Sequence, residues 1–374
     1  MTLKEIFRPQ RTHHKNMVEL KGKGFYIWQI SHCEKANPDK IAHVALQAGL
    51  SHVIIKIANG IYEYNKGTAL DTVLALKEKG IQAWGWHYVF GDAPKGEARI
   101  AIKQLQNIPV DGYVIDAESE YKGKYTPCRI FLNELRAAFP TLPMALSSFR
   151  YPKYHADLPW KDFFVKVDIN MPQVYWEKAH NSAEQLARCL AQFQIITPLR
   201  PVIPTGPTYG VKGWLPTPQD ITEFLNKAVE LRLNAVNFYS WDYCRLSLPH
   251  LWDVIAEFNW PGMPNPPKDI TEELVEAMNF RRIQSILALY ATDAVHITSS
   301  ATIQGHSSIA EWYDQLLNLD LKNHVIRISG FTGDDNSRQF TWIATANDGK
   351  IIMSMDTIGL INKKIVYHYS SILK

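Results

Sequence analysis

Cysteine is scarce and scattered: Cys33, Cys128, Cys189 and Cys244 are the four in 374 residues. They form no C-x-x-C pair and sit in no histidine cluster, so no zinc site is expected and no oxidising compartment is demanded. An excess of either charge is also missing. The formal net charge is +3, which leaves no global field to attract nucleic acid. No apolar run reaches the ~18 residues a membrane span needs. The opening M-T-L-K-E-I-F-R-P-Q-R-T-H-H-K lacks the apolar stretch of a signal peptide, which sets the expectation of a cytoplasmic protein. Release to the cell wall by a non-classical route stays open. No G-x-G-x-x-G follows the first strand candidate, which weakens a doubly wound, dinucleotide-binding sheet. Repeats and low-complexity tracts are absent, and no cofactor is expected.

What remains is a globular composition, 46% hydrophobic and 21% charged, with 11 Trp and 17 Tyr. Aromatics in such number suit large cores and sugar-stacking clefts. The length suits two domains better than one. Residues 1–22 are basic and irregular, with Arg8, Arg11, His13, His14 and Lys15 expected on a loosely packed arm. From Gly24 onward β-rich runs alternate with helical ones. Strands are expected at Phe25–Gln29, His52–Ala58, Ile81–Phe90, Gly112–Asp116, Pro143–Ser147, Ile169–Tyr175, Arg200–Thr205 and Ala235–Trp241. Helices are expected between them, with Thr126-Pro127 and Thr217-Pro218 as start signals and Ala48-Gly49 and Lys79-Gly80 as stops. Eight such alternations imply a (β/α)8 TIM-like barrel over residues 23–258. A closing helix at Leu248–Phe258 precedes a Pro-rich linker at 259–268.

In a barrel, chemistry gathers at the C-terminal ends of the strands. The fourth run, G-Y-V-I-D-A-E-S-E, ends with Asp116 and Glu118. Residues i and i+2 of a strand share a face, so both acids point the same way. Two close carboxylates favour retention of one proton, as general-acid work on a glycosidic oxygen requires. A pair of strand-end acids that caps a helix or meets a lysine is the plain alternative. Other strand ends carry further candidates. Trp86 and His87 end the third run, Gln173, Tyr175, Trp176 and Glu177 the sixth, Tyr209 the seventh, and Trp241 and Asp242 the eighth. Asp242 is a further catalytic candidate, and the rest form a rim for a ring-shaped ligand.

Residues 269–374 read differently. An amphipathic helix at Thr271–Tyr290 precedes a short strand at Ala294–Thr298 and a helix at Ile309–Leu317. Strands at His324–Phe331, Gln339–Ala346, Ile351–Leu360 and Ile365–Leu373 then follow, with hairpin turns at Asn347-Asp348-Gly349 and Asn362-Lys363-Lys364. Helices followed by an antiparallel meander make an α+β domain.

The D-A-E of strand four, the W-H-Y of strand three and A-L-K-E-K-G-I-Q-A-W-G-W resemble glycoside hydrolase family 25 over about residues 22–245. These are lysozyme-like muramidases of bacteria and phages. The resemblance implies Glu118 as proton donor and Asp116 as its partner carboxylate. Tyr26 and Asn237 stand where that family has acids on strands one and eight, and are assigned to the substrate-binding set instead. The M-P-Q-V-Y-W and Y-S-W-D runs resemble a sub-group of barrel proteins more than the muramidases. The second domain resembles the SnoaL-like, nuclear-transport-factor-like fold, a cone of curved sheet, through F-R-R-I-Q-S-I-L-A-L-Y-A-T-D-A-V-H-I-T and T-I-Q-G-H-S-S-I-A-E-W-Y. His296, Trp312, Asp356 and His368 are expected to line the cone. The resulting expectation is a glycoside hydrolase acting on an aminosugar polysaccharide. The alternatives are a carbohydrate-binding barrel without catalysis, or a scaffold whose C-terminal domain binds a small ligand or forms a homodimer.

Overall fold

Parallel strands leave N–H and C=O groups that only neighbouring strands can satisfy, and a closed ring leaves none over. The structure, a computed structural model, describes residues 19–264, 268–334, 336–346 and 348–373. The basic cluster Arg8–Lys15 lies outside the described residues, as do part of the Pro-rich linker and Asn347 of the Asn-Asp-Gly turn. The chain divides into two compact units, Met1–Pro266 and Pro267–Lys374.

The first unit alternates strand and helix. Its strands are β1 (Gly22–Ile27), β2 (Leu50–Asn59), β3 (Tyr62–Glu63), β4 (Gln82–Val89), β5 (Gly112–Ala117), β6 (Met144–Phe149), β7 (Ile169–Gln173), β8 (Thr205–Pro207) and β9 (Ala235–Tyr239). Its helices are α1 (Pro38–Gln47), α2 (Ala69–Glu78), α3 (Pro94–Asn107), α4 (Tyr125–Ala138), α5 (Trp160–Lys166), α6 (Ser182–Phe193), α7 (Pro218–Glu230), α8 (Trp241–Ser247) and α9 (Pro249–Glu257). All strands except β3 run parallel in the order β1-β9-β8-β7-β6-β5-β4-β2, and β1–β2 pairing closes the ring. This is an eight-stranded parallel barrel rather than an open sheet. β3 is a short antiparallel addition to the end of β2.

Two cores result. The larger lies between strands and helices and includes Phe25, Phe131, Phe163, Leu186 and Phe224. The smaller fills the barrel with Tyr26, Ile54, Trp84, Trp86, Val114 and Met171. Two glycines make room for rings at its floor. A Cβ on Gly24 would lie 2.2 Å from the His52 ring, and one on Gly112 would lie 2.5 Å from Trp84.

Several boundaries differ from the sequence reading. The seventh parallel strand is Thr205–Pro207, not Arg200–Thr205, because Pro201 and Pro204 lack the N–H a ladder needs. Trp241 leaves the last strand and opens α8, and Pro249 separates that helix from α9.

The second unit comprises α10 (Ile270–Asn279), α11 (Ile283–Leu287), β10 (Tyr290–Ile297), β11 (Thr302–Gln304), α12 (Gly305–Gln315), β12 (His324–Asp334), β13 (Ser337–Ala346), β14 (Ile351–Ile361) and β15 (Lys364–Leu373). The expected single helix Thr271–Tyr290 is two. The break falls where Arg281 turns to φ 51° and the Asn279 side chain bonds both backbone groups of Ile326. The sheet order is β11-β10-β15-β14-β13-β12. The last four strands form the expected antiparallel run, but β10 joins β15 in parallel. Asn362 and Lys363 both adopt positive φ, as a two-residue type I′ hairpin demands.

Candidate active site in the barrel

Along each barrel strand alternate side chains face inward. On β5 this leaves Tyr113 and Ile115 in the outer core and turns Val114 and Asp116 inside. Glu118, just past the strand, continues the inward series, and both acids line the same inner cavity. Gln173, the last residue of β7, faces them. Its Nε2 donates to Asp116 Oδ1 (3.0 Å), Glu118 Oε1 (2.9 Å) and Ser147 Oγ (3.4 Å). One amide has two hydrogens, so three acceptors compete for them.

This competition leaves the carboxylates under-compensated. Burial, then the charge of Glu118, raises Asp116 well above the ordinary carboxylate range; Ser147, Lys56 and Gln173 oppose the rise. Burial also raises Glu118, with Gln173 opposing and Glu120 adding to it. The pair therefore holds a proton at a pH where a surface acid has lost its own.

The inner cavity, about 300 Å³, is walled by Tyr26, Trp28, Lys56, Trp86, Tyr88 and Tyr239 around the acids. Tyr26, Trp86 and Tyr239 pack mutually, with centroids 6.0–6.2 Å apart. An outer cavity of about 710 Å³ adjoins it, and Glu118, Gln173 and Tyr175 line both. Tyr175 meets Tyr209 edge-on at 5.4 Å there, and the Tyr209 hydroxyl donates to Glu177 Oε1 at 2.5 Å.

Of the residues expected at the site, Asp116, Glu118, Tyr26, Trp86, Gln173, Tyr175, Glu177 and Tyr209 line these cavities. Five do not. His87 has the opposite parity to Trp86 and is buried in the helix layer, where Nδ1 meets the Tyr113 hydroxyl (2.7 Å) and Nε2 the Gly60 carbonyl (2.8 Å). Burial holds its imidazole down to about 3. Trp176 lies beyond the strand end and packs on Phe224 at 5.2 Å. Trp241 is edge-on to Trp252 at 4.6 Å in the outer core. Asn237 faces inward but sits at the floor, its Oδ1 2.6 Å from His52 Nε2. Asp242 is the second residue of α8, and its Oδ1 accepts the Trp28 backbone N–H at 3.4 Å, but its side chain lines neither cavity. Lys56 and Trp28 were missed; Tyr88 and Tyr239, which stand in the end runs of strands three and eight, line the inner cavity as well. For Lys56 a signal existed: it is the one charge inside the apolar run V-I-I-K-I-A, two residues from inward-facing Ile54.

In the second unit, His296, Asp356 and His368 are buried in a polar network rather than arrayed around an opening. Asp356 Oδ2 accepts from Trp342 Nε1 and meets His368 Nε2, both at 3.0 Å. His368 Nδ1 meets the Tyr290 hydroxyl at 2.5 Å, and His296 stacks on His368 with centroids 4.2 Å apart. The Trp312 ring packs edge-on against His296, also at 4.2 Å. The unit's cavity of about 650 Å³ touches only Asp356 of the four expected residues.

No protein-family model matches the chain, and no curated protein matches it. Among solved structures it is similar to a SnoaL-like family protein from Agrobacterium tumefaciens C58, with 17% identity over 28% of this chain and 95% of that one, at a TM-score of 0.26. It is similar to a protein with a ketosteroid isomerase-like fold from Catenulispora acidiphila, solved with trimethylamine, with 12% identity over 27% and 83% of the chains and a TM-score of 0.25. An NTF2-like protein of unknown function from Cytophaga hutchinsonii is 10% identical over 28% and 88%, with a TM-score of 0.24. No helix among the described residues is long and apolar enough to cross a membrane. No group of His, Cys, Asp and Glu among them has the arrangement to hold a metal ion.

Proposed function

We propose that the barrel is a glycoside hydrolase acting on an aminosugar polysaccharide of the bacterial cell-wall type. The observation that carries this reading is the shared contact of Asp116 and Glu118 with one Gln173 amide at an aromatic-walled opening. Glu118 reaches both cavities, so a glycosidic oxygen lying across their junction meets its carboxyl group. Glu118 protonates that oxygen as the bond breaks. Asp116, deeper in the barrel, stabilises the oxocarbenium-like charge or orients the ring that bears it, and a water on the face the leaving group vacates then adds to the anomeric carbon and gives its proton to Glu118, which restores the acid. Tyr175 and Tyr209 give the outer sugar a stacking surface. Because both acids lie about 3 Å from one nitrogen, their nearest oxygens are within about 6 Å. That upper bound on their nearest oxygens is compatible with the ~5–5.5 Å of retaining glycosidases and lies below the ~6.5–9.5 Å of inverting ones. Proton NMR of the first product tests this. Retention of anomeric configuration is expected, and inversion or no product refutes it.

A second reading, a sugar-binding barrel without turnover, is favoured by the two neutral positions. The Tyr26 hydroxyl is aimed at Met171 Sδ (3.5 Å), and Asn237 is committed to His52. Calorimetric binding of cell-wall sugars with no release of reducing ends would select it. For the second unit we propose the SnoaL-like fold, on the strength of its two opening helices, a third helix between β11 and β12, and its six-stranded sheet.

A further inference from the structure

The outer cavity has a charged wall that the reaction above does not use. Phe149 ends β6, and Arg150, Tyr151, Tyr154 and His155 follow it along the cavity. Arg188, from the middle of α6, joins them there. Tyr151 is 6% exposed and has both guanidiniums beside its ring, Arg188 at 4.4 Å and Arg150 at 5.1 Å from the centroid. The two groups are therefore no further apart than the sum of those distances. Arg188 also lies 5.3 Å from the Tyr154 ring and donates to its hydroxyl. Stacking restrains two long side chains, so a ligand has less of their freedom to remove.

The arginines in ion pairs among the described residues are Arg129, Arg136, Arg245 and Arg338, so neither Arg150 nor Arg188 has a carboxylate partner. Three acids also line the cavity, and each is met by a neutral donor instead. Gln173 donates to Glu118, the Tyr209 hydroxyl to Glu177, and Asn181 Nδ2 to Glu184 at 3.0 Å. Glu177 and Glu118 both act on Tyr209, just past β8. Burial, then the positive charges of Lys122 and Arg150, hold the His155 imidazole below its ordinary value, so it is mainly neutral near pH 7. Acids thus gather toward Tyr209 and cations toward Tyr151.

The local charge narrows the ligand. Lys122 adds a third cation, its Nζ 5.6 Å from the Phe149 ring, and Glu184, one turn before Arg188 on α6, offsets one. About two positive charges remain, which a phosphoryl dianion matches and a single carboxylate does not. A guanidinium also presents paired N–H groups that fit phosphate oxygens two at a time. The cavity, about 710 Å³, has room for a sugar-sized body behind such a group.

We propose that Arg150 and Arg188 form a binding site for a phosphate monoester in the outer cavity. The site uses residues to which the glycosidase reading gives no role, and it does not rest on that reading. The phosphoryl group can arrive on a sugar or as free phosphate, and the probes separate the two.

The test is calorimetric titration of the full-length protein with glucose 6-phosphate, inorganic phosphate, glucuronate and glucose, near neutral pH and at low salt. Glucose 6-phosphate should bind at least about tenfold tighter than glucose or glucuronate, the scale of one charge-assisted hydrogen bond, and added salt should weaken it. Inorganic phosphate that binds more weakly than the ester shows that the sugar contributes, and equal affinity shows that the phosphoryl group alone is held; both support the site. Arg150→Gln and Arg188→Gln should each lower the affinity about tenfold. Arg188→Lys, which keeps the charge without the fork, should recover part of that loss. Glucuronate binding as tightly as the ester overturns the choice of a dianion. Absence of phosphate binding overturns the site, as does affinity unchanged in both glutamine variants at an unchanged melting midpoint. Binding is read apart from turnover, so a protein that releases no reducing ends can pass this test and one that does can fail it.

Discussion

Glu118→Gln should make the barrel more stable at neutral pH, and less distinctly so in acid. The reasoning is linkage. Burial raises Glu118 in the folded state, so between the unfolded value of about 4.3 and the raised folded value the native protein binds more protons than the unfolded chain. Below about pH 4.3 both states are protonated and the carboxyl contributes no penalty. As pH rises past that point the unfolded chain releases its proton more easily, and stability falls until the folded group also ionises. Glutamine is neutral throughout, nearly the same size, and keeps an oxygen to accept from Gln173. Each unit of upward shift is worth about 1.4 kcal/mol. Partial contact with solvent at the mouth discounts this, so the gain is smaller than full burial would give, but its sign at pH 7 is fixed. For a unit of this size, each kcal/mol moves the melting midpoint by about 2–4 °C. Thermal melts of wild type and variant at pH 7 and pH 4 measure it. The reasoning fails if the variant is less stable at pH 7, or if the difference is the same at both pH values.

Two further expectations concern the second unit. Arg338 and Asp269 form a buried ion pair at 2.8 Å, with side chains 7% and 3% exposed, and Asp269 also caps α10. Arg338→Met should cost about 3–5 kcal/mol by leaving that charge unpaired, read as loss of hydrogen-exchange protection in β12–β15. Burial, then His368, holds His296 down to about 2, so this imidazole stays neutral while its unfolded counterpart protonates below about pH 6.5. The unit should therefore lose up to about 1.4 kcal/mol per pH unit of acidification below that point, a slope that His296→Phe should reduce in denaturant titrations at pH 4–7.

Much of the barrel was legible because its strands are short apolar runs between helices, although of the two expected capping threonines only Thr217 caps; Thr126 lies inside α4, which starts at Tyr125. The Thr217-Pro218 start is the N-cap and first turn of α7, where Thr217 and Asp220 form a reciprocal capping box. What moved did so for two reasons, one a tertiary contact that no local pattern carries and one local. Asn279 tied to Ile326 breaks the long helix, and prolines push the seventh strand downstream. At the site, the two-residue period was enough to place Asp116 and Glu118 together. It fails once the chain leaves the ladder: Trp176 and Trp241 lie beyond the last paired residue, where parity no longer fixes direction. His87 was mistaken for a rim residue because its neighbours Trp86 and Tyr88 are inward, though alternation sends it out. Lys56 escaped notice in an apolar strand whose own pattern marks it as a charge held inside.

The central claim is that Glu118 and Asp116 together break a glycosidic bond. Its most direct measurement is the release of reducing ends from purified peptidoglycan by wild type and by Glu118→Gln, whose fold the melts above monitor. The account expects soluble fragments from the wild type and a rate lower by several decades in the variant. Equal rates, or no fragments from the wild type, would contradict it.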